Sequence, residues 1–518
     1  MPSDDLFAER RRKVEELAAR GIPSYGVDFA PNATVEEARR LLTAYESGRP
    51  DAEVDAADRP VVAVAGRVMQ LRDLGGAAFA HIEDESGRMQ MWFRADRPGD
   101  AHSMVGILDL GDIVGITGPV TRTRRGEPSV LVDSMTLLVK SLRPPPEKFH
   151  GLQDQETRYR KRYLDLLSNA SQRRHFATRT RLVRALHATL EQRGFMEVET
   201  PILQPIPGGG AAVPFRTHWN ALHTDVYLRI AIELHLKRLL VGGYARVYEI
   251  GRVFRNEGLS PRHNPEFTML EAYQAYATYD DMRELTEALV TAAANAAGPQ
   301  VAEDDAGGSA PCEDPLLRKV FGQSLDLHPP YRADTMVNLV REHTGVDALA
   351  SWDDMHAAAA GIGVEVAPNL GPGAVLLEIY EQRVEDAIWD PTFVLDYPAE
   401  VSPLARLRRD DPRFVERFEL IIAGRELANA FSELNDPIDQ RARFEEQARL
   451  RAAGDTEIPP IDEDFLEAIE VGMPPAGGLG VGVDRLVMLL TGAATIRDVL
   501  LFPTMRPQHR GGDGSSDS

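Results

Sequence analysis

The densest group of chemically capable side chains lies in residues 254–273, FRNEGLSPRHNPEFTMLEAY. An arginine at the start of this stretch can bridge a phosphate and a carboxylate, because its planar fork of donors suits both anions. A histidine and an arginine at the tip can reach outer phosphates, and a phenylalanine offers a surface for a purine. No Gly-rich phosphate loop accompanies this stretch, which argues against a P-loop site. A surface hairpin with ordinary ion pairs is the alternative. The candidates are Arg255, Arg262, His263 and Phe267.

Two later stretches carry groups that fit the same site. RFELIIAGRELANAFSELND places Glu419 and Glu426 among apolar strand residues, where carboxylates are costly without cations. Magnesium on ATP phosphates is a suitable partner for them. GGLGVGVDRLVMLL predicts a Gly-spaced strand with room for a ligand, followed by a helix capped by Asp484 with Arg485 at its start.

The composition limits the class of protein. With 518 residues, 43% hydrophobic and 27% charged, the chain is globular and long enough for two or three domains. No apolar run approaches the roughly 20 residues of a membrane span, and the N-terminus is too charged for a signal peptide, which favours a cytoplasmic protein without a membrane partner. The single cysteine, Cys312, excludes intrachain disulfides and cysteine-rich zinc sites. The net charge of −22 argues against sequence-blind DNA coating.

Hydrophobic periodicity predicts the elements that position these groups. Residues 6–19 predict an amphipathic helix, and five alternating segments between about 60 and 140 predict a five-stranded barrel. Beyond about 175, strands and helices follow in no βαβ order, which predicts an α+β domain with an antiparallel sheet flanked by helices. The predicted divisions are an N-terminal helical extension (1–58), the barrel (59–145), a basic linker (146–174), the α+β domain (175–507) with a helical insertion at about 285–390, and a disordered tail (508–518).

The barrel region suits an oligonucleotide-binding (OB) fold, in which exposed aromatics stack on bases and basic side chains neutralise phosphate. Phe79 and His81 share one strand face, Trp92 lies on the next strand and Arg67 is nearby. The alternative is that Phe79 and Trp92 belong to the core and the arginines are solvated. Residues 158–184 add a basic run, for which a solvated helix face and a polynucleotide path are the two alternatives.

These stretches together resemble class II aminoacyl-tRNA synthetases, and among them the bacterial lysine-specific members. GFMEVETPIL is similar to the first motif of the family, FRNEGLSPRHNPEFTMLEAY to the second and GLGVGVDRLVMLL to the third. The segments most similar to lysine-specific members are IAIELHLKRLLVGGYARVYEIG and ELANAFSELND. The resemblance covers residues 6–507, and it implies that the barrel binds an anticodon and that the α+β domain is a class II catalytic domain.

The resemblance implies a two-step ligase reaction. The carboxylate of L-lysine attacks the α-phosphate of ATP, which gives lysyl-adenylate and pyrophosphate. The 3′-hydroxyl of the terminal adenosine of the lysine tRNA then takes the lysyl group and AMP is released. Such chemistry depends on positioning and charge neutralisation more than on a general base. A homodimer with the first-motif helix and strand at its two-fold interface is also implied.

The resemblance assigns roles by position. The catalytic residues implied are Arg255, which bridges the α-phosphate and the lysine carboxylate, and Arg485, which sandwiches adenine with Phe267. The other ATP contacts implied are Glu257, His263, Asn264 and Glu419, and the Mg²⁺ ligands are Glu419 and Glu426. The lysine contacts implied are Gly209, Glu233, Glu271, Tyr273, Asn429, Phe431 and Glu433. The anticodon contacts implied are Arg67, Phe79, His81 and Gln90.

The chemistry of the residues supports the lysine assignment separately. An ammonium group needs carboxylates and a hydroxyl as partners. Glu271, Tyr273 and Glu433 supply them from strand faces, whereas a pocket for aspartate would need a cation there.

Strand parity makes a further prediction about the backbone. Glu426 has even parity along ELANAFSEL and Asn429 has odd parity, so a regular strand would point the two side chains to opposite faces. Magnesium and lysine must nevertheless share one site if the carboxylate is to meet the α-phosphate. We therefore expect a β-bulge at Leu427 or Ala428, since bulges re-aim side chains beside active sites.

Some positions depart from the usual residues of the family. Ile232 stands where a proline is common and His235 where a tyrosine is common. Trp219 replaces a histidine and Ala430 replaces a glycine. These four leave the charged contacts intact, whereas Gly76, at a position where lysine is frequent, weakens the expected affinity for an anticodon loop.

Two rival functions belong to other classes. A catalytically silent paralogue that senses tRNA or lysine should lack a charged ATP contact, yet Arg255, Glu419, Glu426 and Arg485 are all present. A ligase that modifies a lysine of another protein should lack the N-terminal barrel, which the sequence contains.

Overall fold

This computed structural model describes residues 2–49, 53–54, 56–97, 99–146, 152, 154–299, 313–452 and 459–508. The chain divides into two compact units, residues 1–153 and 154–518. Cys312 and the predicted tail beyond residue 508 lie outside the described residues.

The N-terminal unit contains helices and short strands. Its helices are α1 (Pro2–Ala19) and α2 (Val35–Glu46), and a 3₁₀ turn spans Val105–Ile107. Its strands are β1 (Val61–Asp73), β2 (Ala77–Glu83), β3 (Arg88–Arg94), β4 (Ile113–Arg122), β5 (Pro128–Leu131) and β6 (Ser134–Val139). The helix α2 begins where the sequence offers a capping box, with the Thr34 side chain accepting from Glu37 N–H and Glu37 accepting from Thr34 N–H.

Five of these strands form a closed ring, as the sequence predicted. They pair in the order β1-β2-β3-β5-β4, and β4 closes the ring on β1. The fifth predicted strand is divided into β5 and β6. The second half, β6, pairs with the first half of β4 on the edge opposite β1. Every second residue of β2 and β3 is buried, which places Phe93 in the core and Phe79 on the opposite face. The helices α1 and α2 bury Leu17 and Leu42 in the same core, so both helices of the predicted N-terminal extension pack as part of this unit.

The C-terminal unit begins with helices and contains the larger sheet. Its helices are α3 (Gln155–Arg160), α4 (Arg162–Ser168), α5 (Ala170–Gln192), α6 (Glu233–Val241), α7 (Tyr279–Ala297), α8 (Met336–Thr344), α9 (Met355–Gly361), α10 (Pro372–Arg383), α11 (Pro437–Ala452), α12 (Glu463–Gly472), α13 (Val483–Thr491) and α14 (Ile496–Val499). Its strands are β7 (Met196–Glu197), β8 (Leu203–Gln204), β9 (Arg216–Trp219), β10 (Thr224–Leu228), β11 (Arg246–Phe254), β12 (Glu266–Ala275), β13 (Leu317–Val320), β14 (Gln323–Asp326), β15 (Arg332–Thr335), β16 (Thr392–Leu395), β17 (Arg417–Ile421), β18 (Glu426–Ser432) and β19 (Ala476–Gly482).

An eight-stranded sheet organises this unit and confirms the α+β prediction. The strands lie in the order β15-β16-β17-β18-β19-β12-β11-β7. Neighbours are antiparallel except at the two edges, where β15 runs parallel to β16 and β7 parallel to β11. The apolar faces of α5, α7 and α13 pack with strand residues such as Leu270 and Leu479 in one core.

The span predicted as a helical insertion, residues 285–390, is not purely helical. It contains the hairpin β13–β14, and β15 joins the edge of the main sheet beside β16. The first part of the span belongs to α7, which buries Leu285 and Leu289 in the core of the main domain. The alternation in these short strands spans only four residues each, too few to separate strand from helix in the sequence.

The basic run that follows the barrel contributes to internal structure. Arg162 is fully buried, and its guanidinium donates to Asp165 Oδ2 at 2.6 Å and to Leu501 O at 3.0 Å. Arg158 Nε donates to Asp165 Oδ1 at 2.9 Å, and Tyr159 Oη donates to Asp498 Oδ1 at 3.0 Å. This part of the run therefore anchors the start of the unit to its last helix, a role that neither alternative anticipated.

Candidate active site

A cavity of about 790 Å³ lies over β12, β18 and β19. It is lined by side chains from the three stretches that the sequence singled out and from α6. The ATP and metal candidates that line it are Arg255, Glu257, His263, Asn264, Phe267, Glu419, Glu426 and Arg485. The amino-acid candidates that line it are Gly209, Glu233, Glu271, Tyr273, Asn429 and Phe431. Glu433 lies buried behind this lining, with 1% of its surface exposed.

The hairpin of β11 and β12 positions the first group. The two strands pair antiparallel from Arg246↔Gln274 to Phe254↔Glu266, as predicted. Phe267, Met269, Glu271 and Tyr273 therefore alternate onto one face, and all four line the cavity. The ring of Phe267 and the carboxylate of Glu271, four residues apart on β12, therefore both face the cavity.

Arg255 lies at the base of the loop that joins these strands. Its guanidinium carbon is 5.3 Å from the centroid of the Phe267 ring, and its Nε donates to Ile230 O at 3.4 Å. At the tip, His263 Nδ1 is 2.9 Å from Ser260 Oγ. Burial lowers the pKa of His263, and the nearby Arg485 lowers it further, so both favour the neutral imidazole. Both side chains line the cavity.

The predicted bulge is present in β18. The pairing of β17 with β18 runs Glu419↔Asn429, Leu420↔Ala428 and then Ile421↔Glu426, so Leu427 is the extra residue. This irregularity brings Glu426 onto the face that carries Glu419 and Asn429. The structure thus confirms the parity argument, and the bulge is at Leu427.

Glu419 and Glu426 form one end of the cavity, which we call the phosphate end. Arg417 Nη2 donates to Glu419 Oε1 at 2.6 Å, and Arg485 Nη1 donates to Glu426 Oε2 at 2.9 Å. Burial and the charge of Glu426 raise the pKa of Glu419 to about 7. Burial opposes ionisation of Glu426, but Arg485, Arg417 and Arg255 together outweigh it and lower the pKa of that carboxyl.

This pair of carboxylates fits a magnesium ion that also carries ligand oxygens. At Glu419, burial and the charge of Glu426 outweigh the stabilising contact with Arg417 and raise the pKa of the carboxyl, so a further cation would stabilise its ionised form. Among the described residues, no cluster of three or more histidine, cysteine or acidic side chains could hold a metal alone. Mg²⁺ is commonly bound by one or two carboxylates together with phosphate oxygens and water, so the donor set suits Mg²⁺ that arrives with a nucleotide.

A second acidic group forms the other end of the cavity. Glu271 is buried, accepts from Ile232 N–H at 3.0 Å and accepts from Tyr273 Oη at 3.2 Å. Burial and the charge of Glu233 raise the pKa of Glu271 to about 7. Lys237 Nζ lies 2.6 Å from Glu233 Oε1 and 2.5 Å from Glu433 Oε2. A ligand with an ammonium group would relieve the excess of negative charge here.

Gly478 of β19 lies directly against the carboxylate of Glu433, where only a residue without a side chain fits. A Cβ at this position would collide with Glu433 Oε1 and with the ring of Tyr273. The Gly-spaced strand of the third motif therefore leaves room for a protein carboxylate as well as for a ligand. Sequence reasoning had assigned that room to the ligand alone.

Two residues of the site were missed from the sequence, Lys237 and Arg417. Each had a usable signal, since Lys237 lies four residues after Glu233 on a helix and Arg417 lies two residues before Glu419 on a strand. The predicted capping role of Asp484 was wrong. The N-cap of α13 is Gly482, and the Asp484 carboxylate accepts instead from Thr268 N–H at 2.7 Å and Arg179 Nη1 at 2.5 Å.

The positions that depart from the family's usual residues lie in different surroundings, and Ile232 contacts a residue of the amino-acid end of the cavity directly. Ile232 supplies the backbone N–H that donates to Glu271, a donor that a proline lacks. His235 Nδ1 is 3.4 Å from Gln204 Nε2, and its pKa is lowered by burial and by Arg238. Trp219 is exposed on β9, Ala430 is buried in β18, and Gly76 lies in the β1–β2 turn with open space around it.

The barrel presents an aromatic pair on its outer surface. Phe79 and Trp92 are opposite each other on β2 and β3, with ring centroids 5.8 Å apart and planes 22° apart. Neither ring belongs to the buried core, so the alternative that both are core residues is wrong. His81 pairs with Gln90 on the same strands, and Arg67 of β1 donates to Gly111 O at 2.7 Å. The arrangement provides a stacking surface with polar groups beside it.

In the described residues, no helix is both long and apolar enough to cross a membrane.

Comparison with known proteins places this geometry in a family. The family described as "tRNA synthetases class II (D, K and N)" matches residues 154–506, and "OB-fold nucleic acid binding domain" matches residues 62–138. A lysine–tRNA ligase of Moorella thermoacetica is 50% identical over 98% of this chain and 98% of its own length. Relatives of the same name from Pelotomaculum thermopropionicum (50%, over 98% of this chain and 96% of the relative) and Staphylococcus aureus (48%, over 97% and 99%) are similar. With its eight-stranded sheet, its cavity and its barrel, the chain belongs to the class II tRNA synthetases of the D, K and N group.

Proposed function

We propose that this protein is a ligase that activates L-lysine with ATP and transfers it to tRNA. The observation that carries the choice of lysine is the buried acidic end of the cavity, where Glu271 and Glu433 offer carboxylates on β12 and just beyond β18. An aspartate or asparagine side chain would meet carboxylates rather than donors there. The relatives named as lysine–tRNA ligases support the same choice.

The geometry suggests how the two substrates meet. Arg255 lines the cavity and acts electrostatically on both Glu271 and Glu426, so its fork can hold the lysine carboxylate against the α-phosphate. The ring of Phe267 and the guanidinium of Arg485 provide two surfaces for adenine. Gly209 and Glu233 lie at the cavity wall for the α-amino group, beside Tyr273, Asn429 and Phe431.

Glu419 and Glu426 would hold Mg²⁺ against the phosphates. When bound, the ion neutralises phosphate charge that develops during displacement. The protein's own contribution is to keep both carboxylates on one face through the bulge at Leu427 and to fix Glu426 through Arg485.

The rival functions receive less support. A silent paralogue should have lost a charged contact, yet Arg255, Glu419, Glu426 and Arg485 all line one cavity. A ligase that acts on protein lysines should lack the barrel, which residues 62–138 form. A cytoplasmic location stays a prediction from the sequence.

An exchange assay tests the assignment of lysine. ATP–pyrophosphate exchange without tRNA should respond to L-lysine alone among the twenty amino acids. Equal or greater exchange with aspartate or asparagine would overturn the assignment, because these are the other amino acids of the group.

The aromatic pair of the barrel makes a prediction about tRNA. Phe79→Ala should weaken tRNA binding by about 1–3 kcal/mol, because a base loses its stacking partner. Aminoacylation at low tRNA concentration should fall accordingly, while pyrophosphate exchange stays unchanged. Val61→Ala, which removes an exposed side chain from β1, is the matched control. A parallel loss of exchange would instead show that Phe79 supports folding.

We also propose that the protein is a homodimer through its first motif. The edge strand β7 and the segments after it expose three apolar residues, Met196, Ile202 and Leu203. Between 42% and 49% of the surface of each residue is accessible to solvent. Unpaired sheet edges and clustered apolar side chains are typical of interfaces. Light scattering should give twice the mass of one chain, and an active monomer at assay concentration would contradict the proposal.

A further inference from the structure

Lys237 is the buried cation at the acidic end of the cavity. It lies on α6 four residues after Glu233, with no side-chain surface exposed. Its Nζ contacts Glu233 Oε1 at 2.6 Å and Glu433 Oε2 at 2.5 Å. It thereby joins the carboxylate expected at the α-amino group of the ligand to the carboxylate expected at the side chain.

The two oxygens of Glu433 are in different situations. Both buried oxygens lack a hydrogen bond of good geometry among the described residues, but Oε2 forms an ion pair with Lys237 Nζ at 2.5 Å and Oε1 forms none. A buried carboxylate oxygen without a donor is costly, and a ligand ammonium is the group that would satisfy it. Lys237 thus binds Oε2 of Glu433, and Oε1 is the oxygen that a ligand ammonium could contact.

The charges at this end support the same division. Three carboxylates lie close together, since the charge of Glu233 raises the pKa of Glu271 and both charges raise the pKa of Glu433. The cation Lys237 contacts Glu233 and Glu433. The remaining two negative charges match the two ammonium groups of free lysine. Without Lys237, three acids would share one buried region and at least one would take up a proton.

We propose that Lys237 is a positioning residue for amino-acid selection, which favours the ionised form of Glu433 and aims its other oxygen at the ammonium group of the substrate side chain. This inference rests on the proposed function. A merely structural ion triad is the competing explanation, and the two explanations differ in what a substitution does to the KM for lysine and to its pH profile.

Titration of Glu433 gives the distinguishing readout. Burial raises the pKa of Glu433 to about 8, the charge of Lys237 opposes that rise, and Glu233 and Glu271 add to it. Removal of Lys237 should therefore raise the pKa of Glu433 further. Because lysine binds the ionised carboxylate, the acid limb of kcat/KM for lysine should move to higher pH. The hydroxyl of Tyr273 is a further titratable group near Glu433. Gly478, which lies against both Glu433 and the Tyr273 ring, carries no side chain that could titrate.

The test is Lys237→Met, with ATP–pyrophosphate exchange measured from pH 6 to 9. The KM for lysine should rise about tenfold or more while the KM for ATP changes by less than about twofold, because Lys237 contacts only the amino-acid end. If Lys237→Met does not fold, Lys237→Gln keeps hydrogen-bond donors without the charge and should show the same pH shift. An unshifted acid limb, or equal changes in both KM values, would overturn the proposal.

A matched control exists in the other unit. Lys140 is also fully buried between two carboxylates, with Nζ 2.6 Å from Asp109 and 2.7 Å from Asp112. Lys140→Met should lower the thermal stability without changing the KM for lysine. If Lys237→Met behaves like Lys140→Met, its triad is only structural. Wild-type exchange that does not require lysine would overturn the proposed function instead, so the two failures are distinguishable.

Discussion

Arg255→Ala is expected to lower kcat for lysine-dependent pyrophosphate exchange by about 10²–10³, as removal of a donor aimed at developing charge does in other enzymes. Arg255 lies over Phe267 and acts electrostatically on both Glu271 and Glu426. Its fork is the donor placed to hold a carboxylate and a phosphate together. Loss of that fork removes both positioning and charge neutralisation in the same step.

The matched control for this variant is Arg252→Ala. Arg252 is an exposed arginine of the same strand β11, paired with Thr268, and its side chain does not line the cavity. Exchange by Arg252→Ala should stay near the wild-type rate. A change confined to the KM for ATP in Arg255→Ala would contradict the bridging role, because it would indicate uniform binding of the nucleotide.

Glu433→Gln is expected to raise the KM for lysine by on the order of 10²–10³, since loss of one partner in a buried ion pair costs roughly 3–5 kcal/mol. The free oxygen Oε1 loses its charge toward the ligand, and Lys237 loses one of its two carboxylates. The KM for ATP should change little. Exchange kinetics with lysine and ATP varied separately measure both constants.

Glu416→Gln is the matched control for this variant. Glu416 pairs with Arg406 and does not line the cavity. Equal changes in the two KM values of Glu433→Gln would contradict its place in the amino-acid pocket. Gly478→Ala should reproduce the defect in lysine binding, because its Cβ would occupy the position of Oε1.

Much of the site followed from alternation and spacing. The hairpin of β11 and β12 was predictable because one face repeats every second residue, and the bulge was predictable because two groups of opposite parity had to share a cavity. Both arguments use only positions close in sequence. They required no knowledge of how distant elements pack.

What could not be predicted depends on contacts between distant segments. Asp484 was assigned to a helix cap, but its partners Thr268 and Arg179 lie 216 and 305 residues away. Lys237 was identifiable as a neighbour of Glu233 on one helix face, but its contact with Glu433 depends on how α6 packs against the sheet. The buried Arg162 was likewise hidden, because an arginine-rich run is ordinarily solvated.

The extra residue at Leu427 also sets a spacing. If Leu427 were deleted, Glu426 and Asn429 would be two positions apart and would still share a face in a regular strand. The deletion would bring the phosphate end of the strand closer to its amino-acid end by up to about 3.3 Å, the rise of one strand residue. Leu427 therefore adds one residue to the segment between Glu426, at the phosphate end of the cavity, and Glu433, just beyond β18 at its amino-acid end.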